Sequence, residues 1–351
     1  MSEKWAVQET LDKSHDIVEG VTLRLPTQVP HQGCYNVAEL FCGPGGFSEG
    51  FSQAGFNIVL GVDNHLSSIQ TFALNHPESA TIAGDITQVT TGHYKHCLRD
   101  TRVHVLLSGI PCQGFSRSNR KQHDDDERNF MYKETMRFAS VFKPHVIIFE
   151  NVSRMTKVEK VIGGIQQALG EHGYTVSIHF MAAQDYGVAQ RRERAFVMAA
   201  LSDSPLPKPV PRGQSMTVGG AIGDIAQSLG SLPNHNEPKQ REATKQRIAD
   251  TLPGQPLYDS FKQRIRLDES DVAPTIVSGG VRPQPTYGHP TESRSLTVRE
   301  RARLMGFPDT YRFEGSDSMG RVQTGNAVCP PVAKAIAKSI YHRLLVEEVT
   351  A

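Results

Sequence analysis

A cysteine, a glutamate and a pair of arginines are spaced in this chain as groups that could act on one ring. In "LLSGIPCQGFSRSN" (106–119) a run of apolar β-formers stops at Ser108, a Gly-Ile-Pro turn follows, and Cys112 stands directly after Pro111. A long polar loop comes next. A thiol is weakly ionised at neutral pH yet intrinsically very nucleophilic, so it suits attack on an electron-poor ring carbon. Glu150 closes a second apolar run, "HVIIFE" (145–150). A carboxyl that donates or shares a proton there would make such a ring more electrophilic. If the two runs are neighbouring strands, thiol and carboxyl converge, because open α/β sheets bind ligands at the carboxyl ends of their strands. The pair points to covalent activation of a heteroaromatic substrate. The plainer alternatives are a small buried hydrophobe for the cysteine and a helix cap or surface acid for the glutamate.

"AQRRERAF" (189–196) puts Arg191, Arg192 and Arg194 just before an apolar strand. Arg192 and Arg194 are two apart, so an extended chain turns them to the same side. Facing the pocket they could hold the substrate and a phosphate; a solvated charge run is the alternative. "LFCGPGGFSEGF" (40–51) follows a strand and opens a helix. Glycines there let a ligand approach the backbone, and a helix N-terminus offers N–H groups. Asp63, 20 residues after Gly43 and at the end of the next strand, is placed for ribose hydroxyls. Asp85, in "GDI" (84–86), would come near a nucleoside base. A purely structural glycine turn is the competing reading. Pro44 and Gly46 break the GxGxxG spacing, which disfavours NAD and leaves an adenosine-bearing cofactor without a pyrophosphate.

These groups need a scaffold, and the sequence supplies one. "NVAELF" (36–41), "NIVLGVD" (57–63), "VHVLLS" (103–108), "HVIIFE" and "RAFVMAA" (194–200) read as buried strands. Helical patterns such as "SSIQTFALNH" and "MYKETMRFASVF" separate them, implying an α/β fold with a doubly wound, mostly parallel sheet covered on both faces. After Leu201, "SDSPLPKPVPRG" looks like a linker, and the alternation is lost. The expected organisation is an N-terminal extension of unknown role (1–32), an arm or flexible leader; a catalytic domain built from 33–200 and 322–351; and a smaller irregular domain (201–321). The final "VAKAIAKSIYHRLLVEE" is an amphipathic helix whose stripe should cover the first domain.

Composition narrows the setting. The chain has 351 residues, is 38% hydrophobic, and carries Lys+Arg 38 against Asp+Glu 37. A net charge of +1 neither demands nor excludes nucleic acid, so any such partner must meet a local basic surface. Five cysteines without a CxxC pair fit reduced intracellular thiols, and no metal is expected. "MSEKWAVQET" is not a secretory signal, and no apolar run is long enough for a membrane span.

Together these segments resemble the cytosine-C5 DNA methyltransferase family, from about Asn36 to the last helix. "FCGPGG" is similar to its cofactor loop, "PCQGFS" to its nucleophile motif, "ENV" (150–152) to its acid motif and "QRRER" (190–194) to its arginine motif. "RSLTVRERARLMGFP" (294–308) and "QTGNAVCPP" (323–331) are similar to its last two motifs. The resemblance implies a Rossmann-like methyltransferase sheet, with the 201–321 region reading the DNA. It implies S-adenosylmethionine held by Phe41, Gly43, Gly45, Gly46, Asp63, Asn64, Asp85, Ile86 and Pro111, with Asn326 and Ala327 closing the site. Catalysis would fall to Cys112, Glu150, Arg192 and Arg194. Cys112 would attack C6 of a cytosine, Glu150 would contact N3 and the exocyclic amine, and Arg192 would contact O2. The base must first be flipped out of the duplex.

The loop from Gln113 would close over the substrate, with Gln113, Ser116, Arg117 and Arg120 as DNA contacts; an ordinary solvated loop is the alternative. "DDDE" (124–127) would repel phosphates, so part of that loop must point away. Ile110 and Cys329 depart from the family's usual residues. In the short 201–273 stretch, Lys239, Arg241, Lys245, Arg247, Lys262, Arg264 and Arg266 are interleaved with acids, and sequence does not sort phosphate from base contacts. The implied partner is double-stranded DNA with a short site, in a restriction-modification or epigenetic marking system, with a cognate restriction endonuclease. The implied state is a monomer, cytoplasmic and nucleoid-associated in a bacterium. A tRNA-modifying enzyme of the same fold and a non-catalytic DNA-binding regulator remain as alternatives. The Cys-Phe-Thr tripeptide of the tRNA branch is absent.

Overall fold

A computed structural model of the chain describes residues 15–18, 21–27, 35–111, 130–211, 214–278 and 287–350. In chain order the elements are β1 (His15–Val18), β2 (Val21–Arg24), β3 (Asn36–Leu40), α1 (Gly46–Ser52), β4 (Asn57–Asp63), α2 (Leu66–Asn75), β5 (Ala80–Ala83) and α3 (Thr91–Leu98). There follow β6 (Val105–Ser108), α4 (Tyr132–Phe142), β7 (Val146–Asn151), α5 (Glu159–Glu171), β8 (Thr175–Ala182), β9 (Gln190–Arg191) and β10 (Glu193–Ala200). The remainder holds α6 (Val218–Ile222), α7 (Glu242–Asp250), β11 (Ile265–Arg266), β12 (Ala273–Pro274), β13 (Tyr287–Gly288), α8 (Val298–Leu304), α9 (Asp317–Asn326) and α10 (Pro330–Thr350).

Among the described residues the main sheet has 9 strands in the order β1-β2-β5-β4-β3-β6-β7-β10-β8. β5, β4, β3, β6 and β7 run parallel. They are buried on both faces, which is why they read as unbroken apolar runs. The chain leaves β3 for β4 and β5 on one side, then returns across β3 to β6 and β7 on the other. β3 is therefore the switch point, and the crevice for ligands opens at the carboxyl ends of β3, β4 and β6.

Two apolar layers clamp the sheet. One contains Phe47, Phe51, Phe72 and Phe196 together with Ile336, Ala337 and Ile340 of α10. The other contains Leu106, Phe138, Ile147, Phe149, Ile165 and Leu169. α10 lies on α1 as its stripe suggested, close enough that a Cβ at Gly50 would overlap Ala333 and Pro330.

Several expectations change. The N-terminal extension is not simply an arm: β1 and β2 form a hairpin, and β2 joins the sheet antiparallel to β5. β10 runs antiparallel to both β7 and β8, a direction that an apolar run cannot encode. The supposed linker is a strap over β8. Leu206 is buried, its carbonyl accepts from Ser177 Oγ at 2.9 Å, and Tyr186 donates to Pro209 O. Leu304, Met305 and Phe307, beyond Leu201 in sequence, share one continuous core with Phe47 and Val188.

Candidate active site

The two apolar runs that end in thiol and acid are neighbours. β6 pairs in parallel with β7, Ser108 opposite Phe149. Asn151, directly after Glu150, donates from Nδ2 to Ile110 O at 3.2 Å. The turn leading to Pro111 is thus tied to the acid strand. Cys112, Gln113, Ser116, Arg117 and Arg120 lie outside the described residues.

On the other side of β7, Phe196 of β10 stands opposite Glu150. Arg194, two residues earlier, shares the Phe196 face, and its Nε lies 3.1 Å from Glu150 Oε1. A shallow recess, open to solvent, is lined by these three residues, Arg192, Met181, Ala183 and the Val328–Cys329 turn that leads into α10. A carboxylate and a guanidinium side by side on an apolar floor can hold a small polar ring by its edge. Cys329 is buried there, and desolvation pushes its thiol up to about 11.

The arginines divide the work. Arg192 lines the recess, but its Nη1 donates to Ile276 O at 3.1 Å and Gly325 O at 3.2 Å, and its Nη2 donates to Ala327 O at 3.0 Å. The Arg192 guanidinium is thus already engaged by three carbonyls. Arg194 stands beside Glu150. Arg191 instead faces solvent and pairs with Asp271.

The cofactor-loop residues also separate into classes. Gly43 has φ +52°, and a Cβ there would meet nothing within 4 Å. Its N–H donates to Asp63 Oδ2 at 2.8 Å, while Asp63 Oδ1 accepts from His65 N at 2.8 Å. Burial raises the Asp63 pKa. Gly45 and Gly46 are small for another reason. A Cβ at Gly45 would stand 2.7 Å from Tyr311 Oη, and one at Gly46 would overlap Val328 O. Phe41, half-buried, is a non-glycine residue with φ +55°. Asn64 is exposed after β4. Asp85 accepts from Thr87 N and Oγ1, the local cap that an exposed Asp commonly makes, and Ile86 is buried beside it. Pro111 is half-buried. Asn326 is exposed at the end of α9, and Ala327 is buried.

Some contributors escaped the sequence reading. Glu39 is buried in β3 and accepts from Ser48 N at 2.9 Å and from Ser48 Oγ, so it pins the start of α1 and the loop before it. Desolvation pushes its pKa up to about 8. A single acid inside "NVAEL" was the available signal. Tyr311 Oη donates to Pro44 O, and Gln323 ties Ser67 and Thr71 of α2 to α9. Arg301 was likewise hidden inside a charged helix pattern.

The basic residues of the 201–273 stretch now sort. Arg266 donates to Ile248, Thr251, Pro290 and neighbouring carbonyls, a structural cap on α7. Lys245 pairs with Glu237 at 3.1 Å. Arg247 stacks on the Tyr258 ring at 4.6 Å and Arg264 on Phe261 at 4.6 Å. Lys239, Arg241 and Lys262 are exposed.

Comparison with known proteins gives a consistent picture. The family model for C-5 cytosine-specific DNA methylases matches residues 35–342. Type II methyltransferase M.NlaX of Neisseria lactamica is 30% identical over 87% of this chain and 96% of its own. Type II methyltransferase M.DdeI of Desulfomicrobium norvegicum is 29% identical, covering 87% of this chain and 88% of its own. A solved structure from Escherichia coli, described as a prophage-encoded DNA modification methyltransferase, superposes with a TM-score of 0.75 at 25% identity. It covers 89% of this chain and 99% of its own.

Proposed function

This chain belongs to the C-5 cytosine-specific DNA methylase family, and from that membership we propose that its chemistry runs in the recess between β7, β10 and the start of α10. The protein is a DNA cytosine-5-methyltransferase, similar across most of its length to type II enzymes of restriction-modification systems. Its substrate is DNA, and its reaction needs a methyl donor.

The Arg194–Glu150 pair carries the reading of the site. A cytosine turned into the recess would present N3 and its exocyclic amine to Glu150 and its O2 to Arg194. Arg192 would hold the walls. Cys112, next to Pro111, would add its sulfur to C6, which makes C5 nucleophilic. After C5 accepts the methyl group, loss of the C5 proton restores the ring and expels the thiolate. Flipping the base out of the stack costs a few kcal/mol, which contacts in the recess and along the backbone must offset.

S-adenosylmethionine fits the crevice at the ends of β3 and β4, and when bound it supplies the methyl group on a sulfonium. Open space over Gly43 leaves room against the loop backbone. The N–H groups of Gly43 and His65 orient the Asp63 carboxylate at the end of β4, where it would accept from a ribose hydroxyl. Phe41, Asn64, Asp85, Ile86, Pro111, Asn326 and Ala327 would complete the site. The 201–321 part would read a short DNA site, and the enzyme would act as a monomer, one strand at a time, sharing its site with a cognate endonuclease.

Incubation with duplex DNA and labelled S-adenosylmethionine, followed by bisulfite sequencing, tests the activity and reads the site together. A short, consistently protected sequence is expected. Labelling of tRNA but not of DNA would overturn the reading, and so would DNA binding without turnover.

A further inference from the structure

Two buried arginines grip the same pair of segments. Arg192 bridges Ile276 O to Gly325 O and Ala327 O. Arg301 donates from Nε to Thr324 Oγ1 at 3.1 Å and from Nη2 to Val277 O at 2.6 Å and Arg321 O at 3.0 Å. Between them, Ile276–Val277 is fastened to the Thr324–Ala327 end of α9. The backbones touch directly, since a Cβ at Gly325 would overlap Ser278 N and Val277 C. Thr275 Oγ1 donates to Arg191 O and Ile276 N to Gln190 Oε1, which carries the same segment onto the arginine motif.

The choice of residue is informative. Arg301 is buried, it donates hydrogen bonds to a hydroxyl and to carbonyls, and its cation lies 5.9 Å from the Tyr287 ring. Burying a charge carries a desolvation penalty, and well-packed apolar side chains often serve stability as well or better. A planar fork, however, fixes geometry in a way that apolar packing does not.

The joint has two outer faces. Val277 is exposed on one side. β13 runs parallel to β11 with Tyr287 beside Ile265, and Tyr287 Oη donates to Thr275 O at 2.7 Å, so β11, just after Phe261 and Arg264, adjoins the joint. The other face is the Gly325–Ala327 turn, which leads straight to Val328 and Cys329 in the recess. Resting on the function proposed above, we propose that Arg301, with Arg192, is a positioning residue that transmits DNA engagement by the 201–321 part to the Asn326–Ala327 cofactor turn.

Such a link is a coupling between two binding sites and must be reciprocal. The test is the affinity of S-adenosylhomocysteine for the full chain, by calorimetry, with and without a duplex bearing the mapped site. In the wild type the duplex should tighten binding by about tenfold. In Arg301→Met this ratio should fall below about twofold. A merely structural role would lower the melting temperature and leave the ratio intact, and that outcome overturns the proposal. If Arg301→Met fails to fold, Arg301→Lys keeps the charge but cannot span Thr324 and Val277 together. An intermediate ratio supports the proposal, and a wild-type ratio refutes it. A wild type that methylates DNA but shows no ratio at all also refutes it. A wild type that methylates no DNA fails earlier, at the mapping step, and removes the functional reading as well.

Discussion

Replacing Gly43 and Gly46 one at a time by alanine separates a glycine kept for a ligand from one kept for packing. At Gly43 the backbone sits at φ +52°, and the new methyl would meet nothing within 4 Å. The cost is that of an L-residue in the left-handed region, roughly 1–2 kcal/mol. At Gly46 the methyl would overlap Val328 O and stand 3.0 Å from Phe307 Cζ and 3.2 Å from Ala327 Cβ. A backbone carbonyl at the head of α10 cannot swing aside, so the cost belongs at the upper end of overpacking, about 3 kcal/mol. Urea unfolding of the ligand-free proteins reads these costs, and calorimetric titration with S-adenosylhomocysteine reads the site. Gly43→Ala should lose only that roughly 1–2 kcal/mol in urea unfolding yet bind at least about tenfold more weakly, a loss of about 1.4 kcal/mol. Gly46→Ala should be clearly destabilised. Wild-type affinity in Gly43→Ala would refute the reasoning, because the space over the loop would then not belong to the cofactor.

The arginine assignment predicts opposite phenotypes. Arg194→Met should lose at least about a hundredfold in methylation while remaining more stable than Arg192→Met, because the Arg194–Glu150 pair keeps some contact with solvent. Arg192→Met leaves three carbonyls without their donor and should cost about 3 kcal/mol or more in urea unfolding; reversed phenotypes would exchange the roles. Glu39 holds its proton more tightly folded than unfolded, about 8 against 4.5. Its contribution is therefore complete below about pH 4.5 and is lost as pH rises through about 8. Stability should fall across that window by at most about 1.4 kcal/mol per pH unit relative to Glu39→Gln, and parallel pH profiles for the two proteins would contradict this. Burial pushes Cys97 up to about 12 and Cys329 up to about 11. Neither should react with iodoacetamide at pH 8 until the protein is unfolded, and rapid native labelling of either by mass spectrometry would count against the described burial.

The parallel core was legible because a strand buried on both faces is apolar at every position, as in Val146–Asn151. β8 was not, since "TVSIHFMA" lies at the sheet edge with mixed, partial exposure. Strand direction was invisible too, and β10 runs antiparallel between β7 and β8. The proline-rich strap looked like a linker because one buried leucine, Leu206, carries its docking. At the site, neighbouring runs ending in Glu150 and Pro111 could be anticipated from the strand-end rule. The division between Arg192 and Arg194 could not, because it depends on carbonyls far along the chain, at Ile276 and Ala327. Glu39 and Arg301 were missed for the same reason, as their partners exist only in the folded chain.

Covalent trapping addresses the chemistry most directly. A duplex carrying 5-fluorocytosine at the mapped site lacks the C5 proton whose loss ends the reaction. Incubated with enzyme and S-adenosylmethionine, it should give a stable crosslink whose tryptic peptide carries the adduct on Cys112. Methylation of ordinary DNA with no adduct at Cys112 on the fluorinated duplex would contradict nucleophilic attack by that thiol.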